Sequence, residues 1–290
     1  MDYVAVAKRS NVMKLLNDTI KLCKVSLKFV DMEKMVDFYS KGLGLKILSQ
    51  DDKRTILGTD KIELVELVTD SHVRKYEKSF TGLYHLALLL PEENDLLAMI
   101  YFIQKNGVEI SGAADHIFSQ AIYLDDPENN GIEIYTDRPR NQWIYEDEGG
   151  LKGVSDPLDV ATLQREFDGR VLSEVPADTI MGHVHLSLRD LDMANDFYIN
   201  TMDFKLVMEL MRAMFVSKEG YHHNLGMNTW TPVSQDNSPS DASGLNYFEI
   251  IVDNLDEIKE KLEGSQIDYS ISDDAVTLRD GQGITIVLKA

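Results

Sequence analysis

One pattern is written four times along this chain, which limits the fold to architectures that pair or stack copies of a single small unit. Residues 24–39 read KVSLKFVDMEKMVDFY and residues 183–198 read HVHLSLRDLDMANDFY. They share their apolar spacing, an Asp ahead of the helical stretch and a closing Asp-Phe-Tyr. Shorter echoes begin at Gly82 (GLYHLALLLPEEND) and Gly244 (GLNYFEIIVDNLDE). A unit this small cannot bury an apolar face by itself, so the copies must bury one another.

Each copy reads as a strand, a helix and three further strands. In the first, Val25, Leu27 and Phe29 alternate as in a half-buried strand. Asp31 is placed to cap a helix whose apolar face holds Met32, Met35, Val36 and Tyr39. Gly42 and Gly44 mark its stop, and strands follow over 45–49, 54–58 and 62–68. The second copy spans 83–137 with its helix over 95–106, the third 183–230 and the fourth 247–289. The chain divides into 1–140 (units one and two), a connector over 141–178, and 179–290 (units three and four). The spacing predicts a helix over 157–167 in the connector, and the Ser, Pro, Asn and Asp of 231–243 predict a loop.

The formal charge of −20 removes the basic stripe that nucleic acid requires and disfavours anionic membrane surfaces. No apolar run approaches the ~20 residues of a spanning helix, and residues 1–20 carry Asp, Lys and Arg where a signal peptide needs an apolar stretch. The single cysteine, Cys23, permits no intrachain disulfide and suits a reducing compartment; it is read as a small buried residue. These features predict a cytoplasmic protein without nucleic-acid or membrane partners. Exposed edge strands and a last unit without a site leave room for a homo-oligomer.

Four segments, taken together and in order, resemble the vicinal oxygen chelate superfamily, which includes glyoxalase I, fosfomycin-resistance proteins and extradiol dioxygenases. They are GLYHLALLLP at 82–91, AIYLDDPENNGIEIYTDRPRNQW at 121–143, MGHVHL at 181–186 and GYHHNLGMNTW at 220–230. The resemblance covers nearly the whole chain after Leu22 and is nearest to the two-domain catechol 2,3-dioxygenase group. It implies an α+β fold of four βαβββ modules paired into two open β-barrel-like domains.

In that superfamily the metal ligands lie on the first and last strands of a unit. The first-strand positions here are Lys24, His85, His183 and Tyr247; the last-strand positions are Glu66, Glu133, Asn224 or a neighbour, and Thr285. The resemblance therefore implies His85, Glu133 and His183 as the ligands, a two-histidine, one-carboxylate set suited to Fe(II), with Mn(II) sharing the same donor preferences. A strand histidine by itself is more often structural. Glu133, however, sits in an apolar GIEIY strand, where an unpaired buried carboxylate costs several kcal/mol, and a metal accounts for it. Two ligands come from unit two and one from unit three, so those units are expected to form the active barrel, leaving units one and four as a barrel without a site. Well-known extradiol enzymes draw their ligands from units three and four instead.

The resemblance also implies catalytic roles. His223, in the His222-His223 pair, stands where extradiol enzymes keep an acid/base histidine. Adjacent strand residues face opposite sides, so one of the two enters the pocket. Tyr123, ten residues before Glu133, would hydrogen-bond the deprotonated substrate hydroxyl, and His116 resembles another pocket histidine. The implied reaction is O2-dependent ring opening of a small aromatic diol. One alternative is a metal-dependent isomerase or transferase of glyoxalase or fosfomycin-resistance type, with Glu66 as fourth ligand if units one and two pair. Another is a metal-free binding protein of the bleomycin-resistance kind, which has no use for both histidines and Glu133. Glu66 is otherwise structural, His185 shares the face of His183 as a neighbour or substrate contact, and His72 and the acidic run 146–148 are solvated. Arg138, Arg140 and Trp143 either line the pocket or close the connector over it.

Overall fold

The computed structural model describes residues 14–17, 19–76, 79–147, 150–272 and 274–290; residues 1–13 of the leading segment and Glu148 of the acidic run lie outside them. Unit one comprises β1 (Ile20–Lys28), α1 (Met32–Asp37), β2 (Lys46–Gln50), β3 (Arg54–Gly58) and β4 (Glu63–Val68). Unit two comprises β5 (Gly82–Leu89), α2 (Glu93–Lys105), β6 (Gly112–Asp115), β7 (Ser119–Asp125) and β8 (Gly131–Asp137). The connector holds a short strand β9 (Asp156–Pro157) and α3 (Val160–Glu166). Unit three is β10 (Ile180–Ser187), α4 (Leu191–Ala194), β11 (Lys205–Leu210), β12 (Ala213–Ser217) and β13 (Leu225–Asn228). Unit four is β14 (Gly244–Val252), α5 (Leu255–Leu262), β15 (Asp268–Ile271), β16 (Val276–Arg279) and β17 (Thr285–Lys289).

The helix starts follow side-chain chemistry. Asp31, Asp190 and Asn254 each accept from a backbone N–H inside the first turn of α1, α4 and α5. In α2 a reciprocal Glu92–Asp95 capping box draws the start to Glu93, two residues ahead of the sequence expectation. Both α1 and α4 run on into a wider π-type turn, Phe38–Gly42 and Asn195–Thr201.

Two curled sheets result. One runs β15, β16, β17, β14, β1, β4, β3, β2 and joins units one and four; the other runs β11, β12, β13, β10, β5, β8, β7, β6, β9 and joins units two and three. The sheets thus cut across the chain division at 140 and 179. The central joints are antiparallel pairs of first strands, β1 with β14 and β5 with β10. One continuous apolar core lies between the sheets.

The repeated Asp-Phe-Tyr has a structural reason. The Tyr39 hydroxyl donates to Asp126 at 3.1 Å, and the Tyr198 hydroxyl to Asp280 at 3.2 Å. Each aspartate also accepts backbone N–H groups of its own β-turn. Units adjacent in sequence are therefore bolted together through the core, while the strand ladders pair units across the two halves.

In the sheet of units one and four, the position equivalent to Glu133 is Glu66, and it is saturated by protein groups: Arg54 Nε at 2.5 Å and the Tyr247 hydroxyl at 2.6 Å. Burial raises its carboxyl, but hydrogen bonds from Ser26, Tyr247 and Arg54 outweigh that and hold it below the usual range. A depressed carboxylate stabilises the fold at neutral pH and loses its contribution as acid protonates it. Glu66→Gln is therefore expected to cost about 1–3 kcal/mol in urea unfolding at pH 7, less on acidification, with metal content unchanged.

Candidate metal centre

The centre is built on three adjacent strands. On β5, Ala87 pairs with Glu133 of β8 on one side and with His183 of β10 on the other. His85, two residues before Ala87, shares its face by strand periodicity. The three side chains therefore converge over a small residue that leaves room between them. His85 Nε2 lies 3.0 Å and His183 Nε2 3.1 Å from the same Glu133 oxygen, and the two nitrogens lie 3.2 Å apart. All three residues are buried.

This donor triangle fits a divalent metal. Bonds of about 2.1 Å at right angles place neighbouring donors about 3 Å apart, the face of an octahedron. Two imidazole nitrogens and a carboxylate oxygen meet at one point, the donor set of a divalent metal. Burial by itself would raise the Glu133 carboxyl, but the His183 and His85 rings reverse this and hold it well below the usual range. Burial pushes His183 down to about 4 against the pull of Glu133. Both shifts favour the deprotonated donors that metals bind. Among the described residues, the buried Nδ1 of His183 has no hydrogen-bond partner. Its ring is held by packing against His223 and Tyr135, with centroids at 4.1 and 4.9 Å.

A cavity of about 660 Å³ opens onto the triad. Of the triad, His85 and Glu133 line it; His116, Tyr123, His185 and His223 also line it, with the aromatic side chains of Tyr84, Phe118, Phe215 and Trp230.

Residues 25–134 match the family described as the Glyoxalase/Bleomycin resistance protein/Dioxygenase superfamily. A catechol-2,3-dioxygenase of Bacillus subtilis (strain 168) is 36% identical over 231 residues, spanning 78% of this chain and 81% of that protein. The chain belongs to this superfamily, the vicinal oxygen chelate group. Among solved structures, a candidate dioxygenase from Bacillus subtilis subsp. subtilis str. 168 superposes with a TM-score of 0.66 at 12% identity, over 96% of this chain and 86% of that one. Glyoxalase I from Zea mays superposes with a TM-score of 0.55 at 13% identity, over 93% and 92%. At such identities these neighbours show the fold alone, and the two curled sheets of paired βαβββ modules are the vicinal oxygen chelate fold.

The remaining candidate residues fall into two hydrogen-bonded pairs. His116 Nδ1 donates to the Val154 carbonyl at 2.7 Å, so the Nε2 of a neutral His116 accepts from the Tyr123 hydroxyl, also at 2.7 Å. Tyr123 is the cross-strand partner of Glu133, and burial, followed by that carboxylate, keeps its hydroxyl protonated. His222 and His223 precede β13 rather than lying on a strand, so alternation is not what separates them. His223 lines the cavity, while His222 is fully buried behind it, 2.7 Å away between Nδ1 atoms.

Other expectations resolve from contacts. His185 lines the cavity and accepts from the Asn228 amide at 3.0 Å. Asn224 lies just before β13; since Val184 pairs with Leu225, the position matching Glu133 in unit three is Gly226. A Cβ there would stand 2.9 Å from the His185 ring. Arg138, Arg140 and Trp143 do not line the cavity. Arg138 grips Asp115 at 2.6 and 2.7 Å and thereby fixes the His116 loop, where Ile117 adopts a positive φ of 72°. The Trp143 indole donates to the Arg138 carbonyl, and Arg140 lies over the Trp143 ring. His72 is exposed. Cys23 is half-buried, and burial with the neighbouring Glu249 raises its thiol to about 11. Among the described residues no helix is long and apolar enough to cross a membrane.

Sequence reasoning missed the connector's part in the wall, supplied by Gly153, Val154 and Ser155, and the contact of His222 with Asp137. The second carried a signal: Glu133, Tyr135 and Asp137 share one face of β8 by period 2.

Proposed function

We propose that this chain is an extradiol ring-cleaving dioxygenase that opens a catechol-type ring with O2 at a divalent metal, Fe(II) with Mn(II) as the alternative, held by His85, Glu133 and His183. The observation that supports the reading is that His85 and Glu133 of the donor triangle line one cavity together with His223 and Tyr123. The catechol-2,3-dioxygenase relative supports it. The isomerase reading needs a fourth ligand from a partner unit, but Glu66 lies in the other sheet and is engaged by Arg54 and Tyr247.

A bound Fe(II) would supply chelation of the two hydroxyl oxygens and the electronic route to O2. The chain's own residues supply orientation and proton handling. Burial, then the charge of His183 and the other rings, holds His223 well below the ordinary histidine value, so it faces the cavity neutral and able to take a hydroxyl proton. To donate to a substrate oxygen, the Tyr123 proton must leave His116, or His116 must itself become protonated and free it. Tyr84, Phe118, Phe215 and Trp230, with residues 153–155 of the connector, supply the wall against which the ring packs.

Among the described residues, no Lys or Arg lines the cavity. A carboxylated ring would therefore enter without a counter-charge, beside Glu133. 4-Methylcatechol is expected to exceed 3,4-dihydroxybenzoate in kcat/KM by at least about 10²-fold, because an unpaired buried carboxylate costs several kcal/mol. The test of function is anaerobic Fe(II) reconstitution, addition of catechol or 4-methylcatechol, then air, with the yellow semialdehyde followed by absorbance. Colour supports the reading. No colour despite stoichiometric metal favours the isomerase or transferase class, and no bound metal favours a binding protein.

A further inference from the structure

We infer that Asp137, acting through His222, is a positioning residue that holds His223 with an unprotonated Nε2 toward the cavity. The reactive role of that nitrogen rests on the dioxygenase reading; the hydrogen-bond order does not.

Asp137 ends β8, four residues after Glu133 and on the same face, so one strand carries both the carboxylate of the donor triangle and this second carboxylate. Its Oδ1 lies 2.9 Å from His222 Nε2. An ionised carboxylate only accepts, so that nitrogen carries the hydrogen. With both rings neutral, His222 Nδ1 is then an acceptor. It faces His223 Nδ1 at 2.7 Å, which must donate. The nitrogen left on His223, Nε2, carries a lone pair, and His223 lines the cavity.

Packing prevents His222 from escaping this order. The ring is fully buried, stacked on Phe118 with centroids at 4.6 Å and packed at a tilt against Tyr221 at 4.0 Å. The Tyr221 hydroxyl, within reach of both Asp137 and Tyr135, completes the setting. If Nε2 of His222 lost its acceptor, the ring could carry its hydrogen on Nδ1 and donate to His223. That would leave His223 with Nε2–H, a donor that cannot take a proton. A carboxylate two rings away thus decides whether the cavity nitrogen accepts or donates.

The test has two independent arms. In the first, Zn(II)-loaded protein labelled with ¹⁵N-histidine is studied by long-range ¹H–¹⁵N correlation, with His222→Gln and His223→Gln spectra for assignment. The expected pattern is hydrogen on Nε2 of His222 and on Nδ1 of His223; hydrogen on Nε2 of His223 in the wild type overturns the inference. In the second arm, Fe(II)-loaded Asp137→Asn is compared with wild type. Losing an aspartate in direct contact with a histidine base costs about 10⁴ in kcat in Ser-His-Asp sites, and one ring further away the expected loss is on the order of 10². KM and iron content should hold. A kcat within twofold of wild type, or a loss of iron in step with kcat, overturns the inference. If wild type opens no catechol while the spectra show the expected order, the dioxygenase reading fails and the hydrogen-bond order stands.

Discussion

Glu133→Gln is expected to remove the metal and to lower ring opening by at least about 10³-fold, with an unchanged circular dichroism spectrum. The carboxylate is the one formal negative charge in the donor triangle, 3.0 and 3.1 Å from the two imidazole nitrogens. Glutamine keeps the shape and offers a neutral oxygen or an N–H donor. A divalent cation placed there would be buried against two neutral rings with no compensating charge, which costs far more than an amide oxygen returns. Iron per chain after anaerobic reconstitution and desalting measures the first effect, and the rate of semialdehyde formation the second. Full iron occupancy in this variant would remove Glu133 from the ligand set.

His223→Ala should behave in the opposite way on metal. Iron content is expected to match the wild type, while kcat falls by about 10²–10⁴, the usual worth of a placed acid/base group. The ring packs on His183 with centroids 4.1 Å apart and lines the cavity, yet lies outside the donor triangle. Truncation opens space beside His183 without removing a member of the donor triangle. Loss of iron together with activity would make His223 a support for His183 rather than a proton acceptor. The two variants together separate holding the metal from moving the proton.

Much of the fold was legible because its signals are local. Capping aspartates, alternating strands and the repeated Asp-Phe-Tyr lie within short windows, and four copies reinforce one another. The pairing of unit two with unit three was readable from the spread of candidate ligands: Glu133 and His183 lie 50 residues apart and meet only if β5 joins β10. The convergence of His85, Glu133 and His183 followed from a family pattern, not from periodicity, since Ala87 between them carries no chemical signal.

The misses share a different cause. His222 and Asp137 are 85 residues apart, and His222 reaches its partner from an irregular segment, so no strand periodicity placed it. Strand β9 has two residues, too few to show alternation. It adds to the sheet edge because β6 offers an unpaired ladder there. Glu66 occupies the same strand position as Glu133 yet pairs with Arg54 and Tyr247, because its sheet partner is unit four and not unit three.

The most direct test is anomalous diffraction at the iron absorption edge from crystals reconstituted anaerobically with Fe(II). A single strong peak is expected about 2.1 Å from Nε2 of His85, Nε2 of His183 and a carboxylate oxygen of Glu133. A peak elsewhere, or no peak at the triangle in protein that carries stoichiometric iron, would contradict this ligand set.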